Sequence, residues 1–263
     1  MDNATRNNKS SGTGFMLIHQ FYEISRGRQI QRLWFSLVLV LLLLAAASVQ
    51  AFQAVHPLTG RRIASVMGPG GADWLNRPER EAEENVEGAL NAINIRPGMT
   101  VAEVGAGTGY VALRMAKRVG PGGKVYANDL QPEMLDKLRQ NAAKAGLTNV
   151  QTVLGGETDP KLPAGAMDLI ILVDVYHEFS QPQKMLQGIR AALKPDGRLV
   201  LLEYRKEDPN IPIRPDHKMS VAEARTEVEA EGFHLGPVIE TLPRQHILVF
   251  SKAMAAGAAA GRP

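Results

Sequence analysis

Three glycines at alternate positions, Gly105, Gly107 and Gly109, form the stretch of this sequence with the clearest chemical meaning. They follow a short apolar segment, Val101–Val104, and precede apolar residues at helical spacing. Glycines at such a strand-to-helix turn let the backbone approach a ligand closely, and the N-terminus of the next helix offers free N–H groups. The pattern therefore predicts a ligand-binding turn.

Two carboxylates indicate the kind of ligand. Asp129 lies about twenty residues beyond the glycines at the end of a second predicted strand, where a carboxylate can accept both hydroxyls of a ribose. Glu103 precedes the first glycine by two positions, where its charge would repel a pyrophosphate but suit a cationic amino group or a sulfonium. The spacing G-x-G-x-G also differs from the dinucleotide pattern G-x-G-x-x-G. Together these features predict a cationic nucleoside ligand rather than a dinucleotide.

A second group of polar residues, Asp174, Tyr176, His177 and Glu178, follows the fourth predicted strand. A histidine can remove a proton from an attacking O–H or N–H group near neutral pH, and Glu178 is the predicted carboxylate that orients it. We therefore predict that His177, Tyr176 and Glu178 are catalytic. The alternative is that His177 only shapes the pocket.

Two further segments are candidates to cover this site. The first, Trp74–Glu81, places Trp74, Arg77 and Arg80 close together; it is either a lid or a solvated helix start. The second begins with Tyr204 and Arg205 at the end of the fifth strand and continues as a charged, proline-rich run to Met219. That run is either a substrate loop or a plain surface loop.

The elements that must position these residues are strands and helices in alternation. The hydrophobic pattern predicts strands at 101–104, 124–128, 150–154, 167–173, 198–204, 238–241 and 246–251. It predicts helices at 73–93, 110–119, 132–145, 183–193 and 220–231. The link between the last two strands is too short for a crossover helix, so this pair must be antiparallel. The predicted fold class is α/β: a Rossmann-like, doubly wound, seven-stranded sheet, mostly parallel with an antiparallel last strand.

These motifs resemble those of class I S-adenosylmethionine-dependent methyltransferases. The resemblance rests on E-V-G-A-G-T-G at 103–109, on Asp129, on D-L-I-I-L-V-D at 168–174 and on the reversed seventh strand. More narrowly, the chain resembles a group of predicted exported bacterial methyltransferases. That resemblance rests on W-L-x-R-P-x-R-E at 74–81 and V-D-V-Y-H-E-F at 173–179.

The resemblance implies S-adenosylmethionine as cofactor and methyl transfer to an unidentified, small-molecule acceptor. It implies that the methionine part of the cofactor lies against Glu103, Gly105, Ala106, Gly107 and Gly109. Asp129 would hold the ribose, Leu130 would pack near the adenine, and Asp174 would lie by the methyl donor. Glu157 or Thr158 would face the adenine edge, and the choice between them stays open. The competing hypotheses are a non-catalytic nucleoside-binding or sensing module at the membrane and, more remotely, an NAD-dependent oxidoreductase.

Composition argues against two other classes of site. The formal net charge of +3 resides entirely in residues 1–32, and the rest of the chain is balanced, so nucleic-acid binding is not expected. The chain has no cysteine, which excludes disulfides and thiolate metal ligands. Its six histidines are scattered and form no known ligand motif, so no metal site is predicted.

The N-terminal region has the pattern of a targeting segment. Basic residues at 26–32 precede an almost unbroken apolar run at 33–49, and small residues follow. This predicts a signal peptide or an uncleaved inner-membrane anchor, with the domain exported to the periplasm; if the signal is not used, the domain is cytoplasmic. The predicted organisation is this N-terminal segment at 1–51, a linker at 52–72, the methyltransferase domain at 73–252 and a flexible tail at 253–263. The start at Met1 or Met16 and the oligomeric state stay open.

Overall fold

The apolar strand segments assemble into one seven-stranded sheet with the order β3-β2-β1-β4-β5-β7-β6. The computed structural model describes residues 54–253. The strands are β1 Thr100–Val104, β2 Lys124–Asp129, β3 Val150–Leu154, β4 Met167–Val173, β5 Leu193–Tyr204, β6 Phe233–Ile239 and β7 Gln245–Lys252. Central strands such as β4 are buried along almost their whole length, as expected for a sheet covered on both faces.

The first five strands are parallel, whereas β7 runs antiparallel to both of its neighbours, β5 and β6. The predicted fold class is therefore confirmed. Strand β1 pairs with β2 on one side and β4 on the other, so the chain order reverses at β1. Ligands of open α/β sheets bind in the crevice at such a switch point, at the carboxyl ends of the strands.

Helices cover both faces of the sheet. Their bounds are α1 Ala72–Leu75, α2 Arg80–Glu84, α3 Val86–Ala92, α4 Ala112–Val119, α5 Pro132–Lys144, α6 Pro182–Ala192 and α7 Val221–Glu229. One buried cluster joins α3, α4 and Leu138 of α5 to one face of the sheet, and a second joins α6 and α7 to the other face. The strands are thereby held between two apolar layers.

The predicted helix at 73–93 is wrong as a single element, because the chain forms three short helices there, α1, α2 and α3. Pro78 lies between α1 and α2, and proline lacks the N–H that a continuous helix needs. Asn85 separates α2 from α3 with a φ of 51°, and its side chain accepts a hydrogen bond from Gly88 N at 3.1 Å. These breaks divide the segment into three helices, of which α3 packs into the core.

Two strand boundaries also differ from prediction. Strand β6 begins at Phe233, five positions before the predicted start, and its pairing with β7 shifts between Leu235 and Val238. Strand β5 begins at Leu193, five positions before the predicted start at 198, and includes the turn at 194–197 that separates the predicted helix from the predicted strand. Pairing of Leu193 with Met167 accounts for this extension, because it continues the β4–β5 ladder backwards past the turn.

The segment before α1, predicted as a linker, packs against the domain. His56 and Arg61 are buried, and Arg61 forms an ion pair of 2.9 Å with the buried Glu227 of α7. Ala64 N donates to the carbonyl of His177 at 3.0 Å. The predicted N-terminal segment at 1–51 and all of the predicted tail after residue 253 lie outside the described residues. Within 54–253, no helix is long and apolar enough to cross a membrane.

Candidate active site

The carboxyl ends of β1, β2, β4 and β5 open into a cavity of about 340 Å³. The cavity brings together most of the residues predicted for the site: Trp74, Arg80, Glu103, Gly105, Ala106, Gly107, Asp129, Leu130, Asp174, His177, Glu178 and Tyr204. Side chains from four strand ends and two covering segments therefore meet at the switch point of the sheet.

The glycine turn forms one wall of this cavity. Gly105, Gly107 and Gly109 have φ values of +78°, +53° and +92°, a backbone region that other residues rarely adopt. A Cβ atom on Gly105 would lie 2.5 Å from the side chain of Val175. Backbone hydrogen bonds fix the turn to β2, because Gly105 N and Ala106 N both donate to the carbonyl of Asn128.

Asp129 is fixed beside the turn by two backbone donors. Gly107 N donates to its Oδ2 at 2.8 Å and Gln131 N donates to its Oδ1 at 2.9 Å. Burial raises the pKa of Asp129, although these hydrogen bonds oppose the shift. Each oxygen keeps a lone pair for a further donor. Leu130 follows with an exposed side chain at the cavity edge, where it offers an apolar surface.

Two buried acids in the cavity lack full hydrogen bonding. Neither Glu103 Oε2 nor Asp174 Oδ1 has a partner among residues 54–253. Burial raises the pKa of Glu103 to about 8. Burial, with the nearby charges of Glu84 and Glu203, also raises the pKa of Asp174. A cationic ligand would favour the ionised form of both acids and supply the missing partner, so the site fits a cationic nucleoside.

His177 is oriented by Glu203, and the prediction that Glu178 orients it is wrong. Glu203 Oε2 lies 2.6 Å from His177 Nδ1, and its other oxygen accepts from Tyr176 N at 2.9 Å. Burial lowers the pKa of His177, but the Glu203 carboxylate outweighs it and the net pKa is raised. Glu178 is a separate acid, with a pKa raised to about 7 by burial.

Sequence reasoning missed Glu203, although a signal was present. In a parallel sheet, residues that follow neighbouring strands lie side by side. Val173 of β4 pairs with Leu202 of β5, which places Glu203 beside the segment that carries His177. The register of two strongly apolar strands could therefore have identified Glu203.

His217 is a second functional candidate that the sequence did not single out. It ends a short 3-10 helix, Pro215–His217, within the charged loop after β5. Its Nδ1 lies 3.2 Å from His177 Nε2, and burial and the nearby His177 lower its pKa. Pro212, Ile213 and Arg214 of the same loop also line the cavity. His177 and His217 are therefore close in space although they are 40 positions apart in the sequence.

Glu84 connects the residues of the covering segment around α1 and α2 through hydrogen bonds. Its carboxylate accepts from Arg77 and from Arg80, each at 2.8 Å, and from the Tyr204 hydroxyl at 3.0 Å. Arg77 also lies 3.8 Å above the Trp74 ring, so it supports the cover without lining the cavity. The network joins the cover to the end of β5.

Tyr176 does not reach the cavity. Its ring is fully buried among core side chains and packs at 5.6 Å from Phe179 and from the Arg61 guanidinium. The short 3-10 helix Tyr176–Glu178 turns successive side chains to different sides, which sends His177 inward to the cavity and Tyr176 to the core. The structure does not place Tyr176 where a catalytic group would contact a ligand.

Five other predicted residues also lie outside the main cavity. Gly109 packs close to Leu138, and Arg205 pairs with Glu240 at 2.8 Å on the surface. Glu157 lines a neighbouring cavity of about 110 Å³, which shares Gly105 and Leu130 with the main one, whereas Thr158 lines neither. Glu157 is therefore the better placed of the two alternatives. Arg77 belongs to the cover described above.

Comparison with known proteins agrees with this site. A family model described as a methyltransferase domain matches residues 95–240. The chain is 35% identical over 112 residues to nocamycin O-methyltransferase from Saccharothrix syringae, a match that covers 43% of this chain and 40% of that protein. It is 33% identical over 117 residues to the ubiquinone/menaquinone biosynthesis C-methyltransferase UbiE from Bordetella avium, covering 44% and 45%. The chain thus spans less than half the length of these curated relatives.

A solved structure covers more of the chain. A SAM-dependent methyltransferase from Aquifex aeolicus superposes with a TM-score of 0.67 at 30% identity, covering 70% of this chain and 98% of that one. The fold and the site define an S-adenosylmethionine-binding α/β domain. The chain belongs to the methyltransferase-domain family, and its cofactor is S-adenosylmethionine.

Proposed function

We propose that this protein transfers a methyl group from S-adenosylmethionine to a small molecule bound at the His177 end of the cavity. The observation that carries the proposal is that one cavity is lined by Glu103 and Asp129, on β1 and β2, and by His177, which follows β4. S-adenosylmethionine supplies an activated methyl group on a cationic sulfur. Side chains from the cover and from Pro212–Arg214 enclose the cavity, which favours a small acceptor over a macromolecule.

The charge of each residue in the site determines the role that we propose for it. Glu103 and Asp174 would face the cationic groups of the cofactor, and Asp129 would accept the ribose hydroxyls. His177, held by Glu203, would receive the proton of the acceptor through Nε2, because Nδ1 is occupied by the carboxylate. The cover around Trp74 and Arg80 would hold the two reactants in line.

The names of similar proteins indicate methylation but do not agree on the acceptor. Nocamycin O-methyltransferase is named for an oxygen acceptor and UbiE for a carbon acceptor in quinone biosynthesis. A protein-L-isoaspartate O-methyltransferase from Methanococcoides burtonii is also similar, at 32% identity. The acceptor atom of this chain is therefore a question for experiment.

The test has two stages. Calorimetry on the purified chain should give binding of S-adenosylmethionine and no binding of NAD. Incubation with isotope-labelled cofactor and a small-metabolite extract should then transfer label to a low-molecular-weight product. Failure of a folded chain to bind S-adenosylmethionine would overturn the proposal, and binding without transfer would favour the nucleoside-binding module.

We also propose that the N-terminal segment exports or anchors the domain at 73–252. The support is the sequence pattern of basic residues followed by the apolar run at 33–49. Cell fractionation of the tagged chain, beside a variant without residues 1–51, should place only the full chain in the periplasm or the membrane. Recovery of both in the cytoplasm would contradict the proposal.

A further inference from the structure

Three side chains with metal-ligand atoms converge at the His177 end of the cavity. His177, Glu178 and His217 each present one such atom, and the three atoms lie within 4.8 Å of one another. His177 and Glu178 follow β4, whereas His217 comes from the loop after β5, so two separate segments build the cluster. All three side chains line the cavity.

The contact between His177 and Glu203 is of a kind that metal-binding histidines commonly make. Its Nδ1 lies 2.6 Å from Glu203 Oε2, and a carboxylate can only accept, so Nδ1 carries the proton. In the neutral ring Nε2 then keeps its lone pair, and it lies 3.2 Å from His217 Nδ1. Histidine ligands typically donate their other N–H to a carboxylate, which fixes the tautomer and the ring orientation. Glu203 is fully buried, and its contact with Nδ1 holds the His177 ring in one orientation.

The distance between the two imidazoles also suits a shared ion. His177 Nε2 and His217 Nδ1 are 3.2 Å apart. Two nitrogens bound at about 2.0–2.1 Å to one tetrahedral ion lie about 3.3–3.4 Å apart. The competing interpretation is a direct hydrogen bond, in which Nδ1–H of His217 donates to Nε2 of His177. That interpretation leaves Glu178 without a role in the cluster.

We propose that His177, Glu178 and His217 bind one divalent transition-metal ion, with Glu203 as the positioning residue. This proposal rests on the proposed function, because the ion would hold and activate the methyl acceptor. Two imidazoles and one carboxylate leave coordination positions open for a further ligand. An acceptor oxygen bound there would have a lowered pKa and would release its proton to solvent water.

The proposal replaces the general-base role of His177. A nitrogen that binds a metal ion cannot also take a proton, so the two assignments exclude each other. In the metal assignment, His217 and Glu178 matter as much as His177. In the base assignment, His177 and Glu203 suffice.

Metal binding can be measured directly on the full chain after treatment with EDTA. Titration with Co²⁺ should produce visible absorption that saturates at one equivalent and that Zn²⁺ displaces. His217→Ala and Glu178→Gln should each weaken Co²⁺ binding by about 100-fold or more, and Glu203→Gln by about 10- to 100-fold. The matched control is His234→Ala, because His234 lies exposed on β6 away from the cavity and should leave binding unchanged.

S-adenosylmethionine affinity, measured on the same preparations, shows that each variant is folded and separates the two proposals. Cofactor binding without saturable Co²⁺ binding, or equal Co²⁺ affinity in wild type and His217→Ala, would overturn the metal site and leave the base role of His177. Co²⁺ binding without cofactor binding would instead overturn the proposed function. The metal proposal further requires that methyl transfer stops in EDTA and returns when Zn²⁺ or Co²⁺ is added back.

Discussion

Glu103 is held in surroundings that disfavour its charge. It is almost fully buried, one of its oxygens has no hydrogen-bond partner within residues 54–253, and burial raises its pKa to about 8. A raised pKa in the folded state means that the acid contributes its full stability below its unfolded pKa and loses it as the pH rises toward 8. Titratable residues with a strongly shifted pKa are common at functional sites.

We therefore expect Glu103→Gln to stabilise the protein and weaken cofactor binding. At pH 8 the gain in free energy of unfolding should be several kcal/mol, because each pKa unit corresponds to about 1.4 kcal/mol, and it should vanish near pH 4. Urea unfolding at a series of pH values measures this dependence, and calorimetry measures the affinity. Glu133→Gln, at an exposed site in the first turn of α5, is the control; it should leave the affinity unchanged and lower the stability by less than about 1 kcal/mol. A variant no more stable than wild type at pH 8 would contradict the raised pKa.

His177 should matter for turnover rather than for cofactor affinity. His177→Gln keeps a group that can bond to Glu203, so the buried carboxylate is not left alone. We expect the methyl-transfer rate to fall by about 10²- to 10⁴-fold, because a glutamine amide can neither take up the acceptor proton nor replace the imidazole as a metal ligand. The dissociation constant of S-adenosylmethionine should change by less than about threefold. Equal transfer rates in the two proteins would remove His177 from the chemistry.

The glycine turn allows a test in which backbone strain is separated from packing. Gly105 and Gly146 both have positive φ values, +78° and +66°, but only Gly105 has a neighbour in the way of a Cβ atom. Gly146→Ala should cost about 1–2 kcal/mol of stability, from conformation alone. Gly105→Ala should cost a further 1–3 kcal/mol through overpacking against Val175 and should lose cofactor binding. Urea unfolding and calorimetry give both results, and equal losses in the two variants would contradict the steric argument.

Much of the sheet could be predicted because its strands are strongly apolar and separated by clear turns. The turn at Gly105 and the acid at Asp129 were predictable for the same reason, since each follows an apolar strand directly. Tyr176 was not, because a 3-10 helix replaces the alternation that a strand would have given. His217 lies in a loop without periodic pattern, and its meeting with His177 depends on how that loop folds back.

At the scale of the whole molecule, the segment before α1, residues 54–71, is fixed beside the site. Arg61 pairs with the buried Glu227 and also donates to the carbonyl of His177 at 3.1 Å. Val66 and Met67, which follow a few positions later, line the cavity. The glycine- and proline-rich composition of this segment led to its prediction as a linker. Composition does not show that single buried polar side chains attach the segment to the domain.

Arg61→Ala should destabilise the domain by about 3–5 kcal/mol, because it leaves the Glu227 carboxylate buried without its main partner. The neighbouring variant Arg62→Ala removes the same charge from an exposed side chain and should cost less than about 1 kcal/mol. Thermal or urea unfolding of the two variants makes the comparison. A small loss in Arg61→Ala would show that the segment is held by other contacts.

The position of β7 between β5 and β6 has a consequence for synthesis of the protein on the ribosome. Strand β5 is complete at Tyr204, but the strand that covers its open edge begins only at Gln245. That same glutamine donates to Asp174 Oδ2 at 2.8 Å, so the last strand also supports an acid of the cavity. A nascent chain that stops before Gln245 carries every residue that lines the main cavity, yet exposes an apolar strand edge of the kind that aggregates. The final strand is therefore expected both to cover this aggregation-prone edge and to supply the hydrogen bond to Asp174.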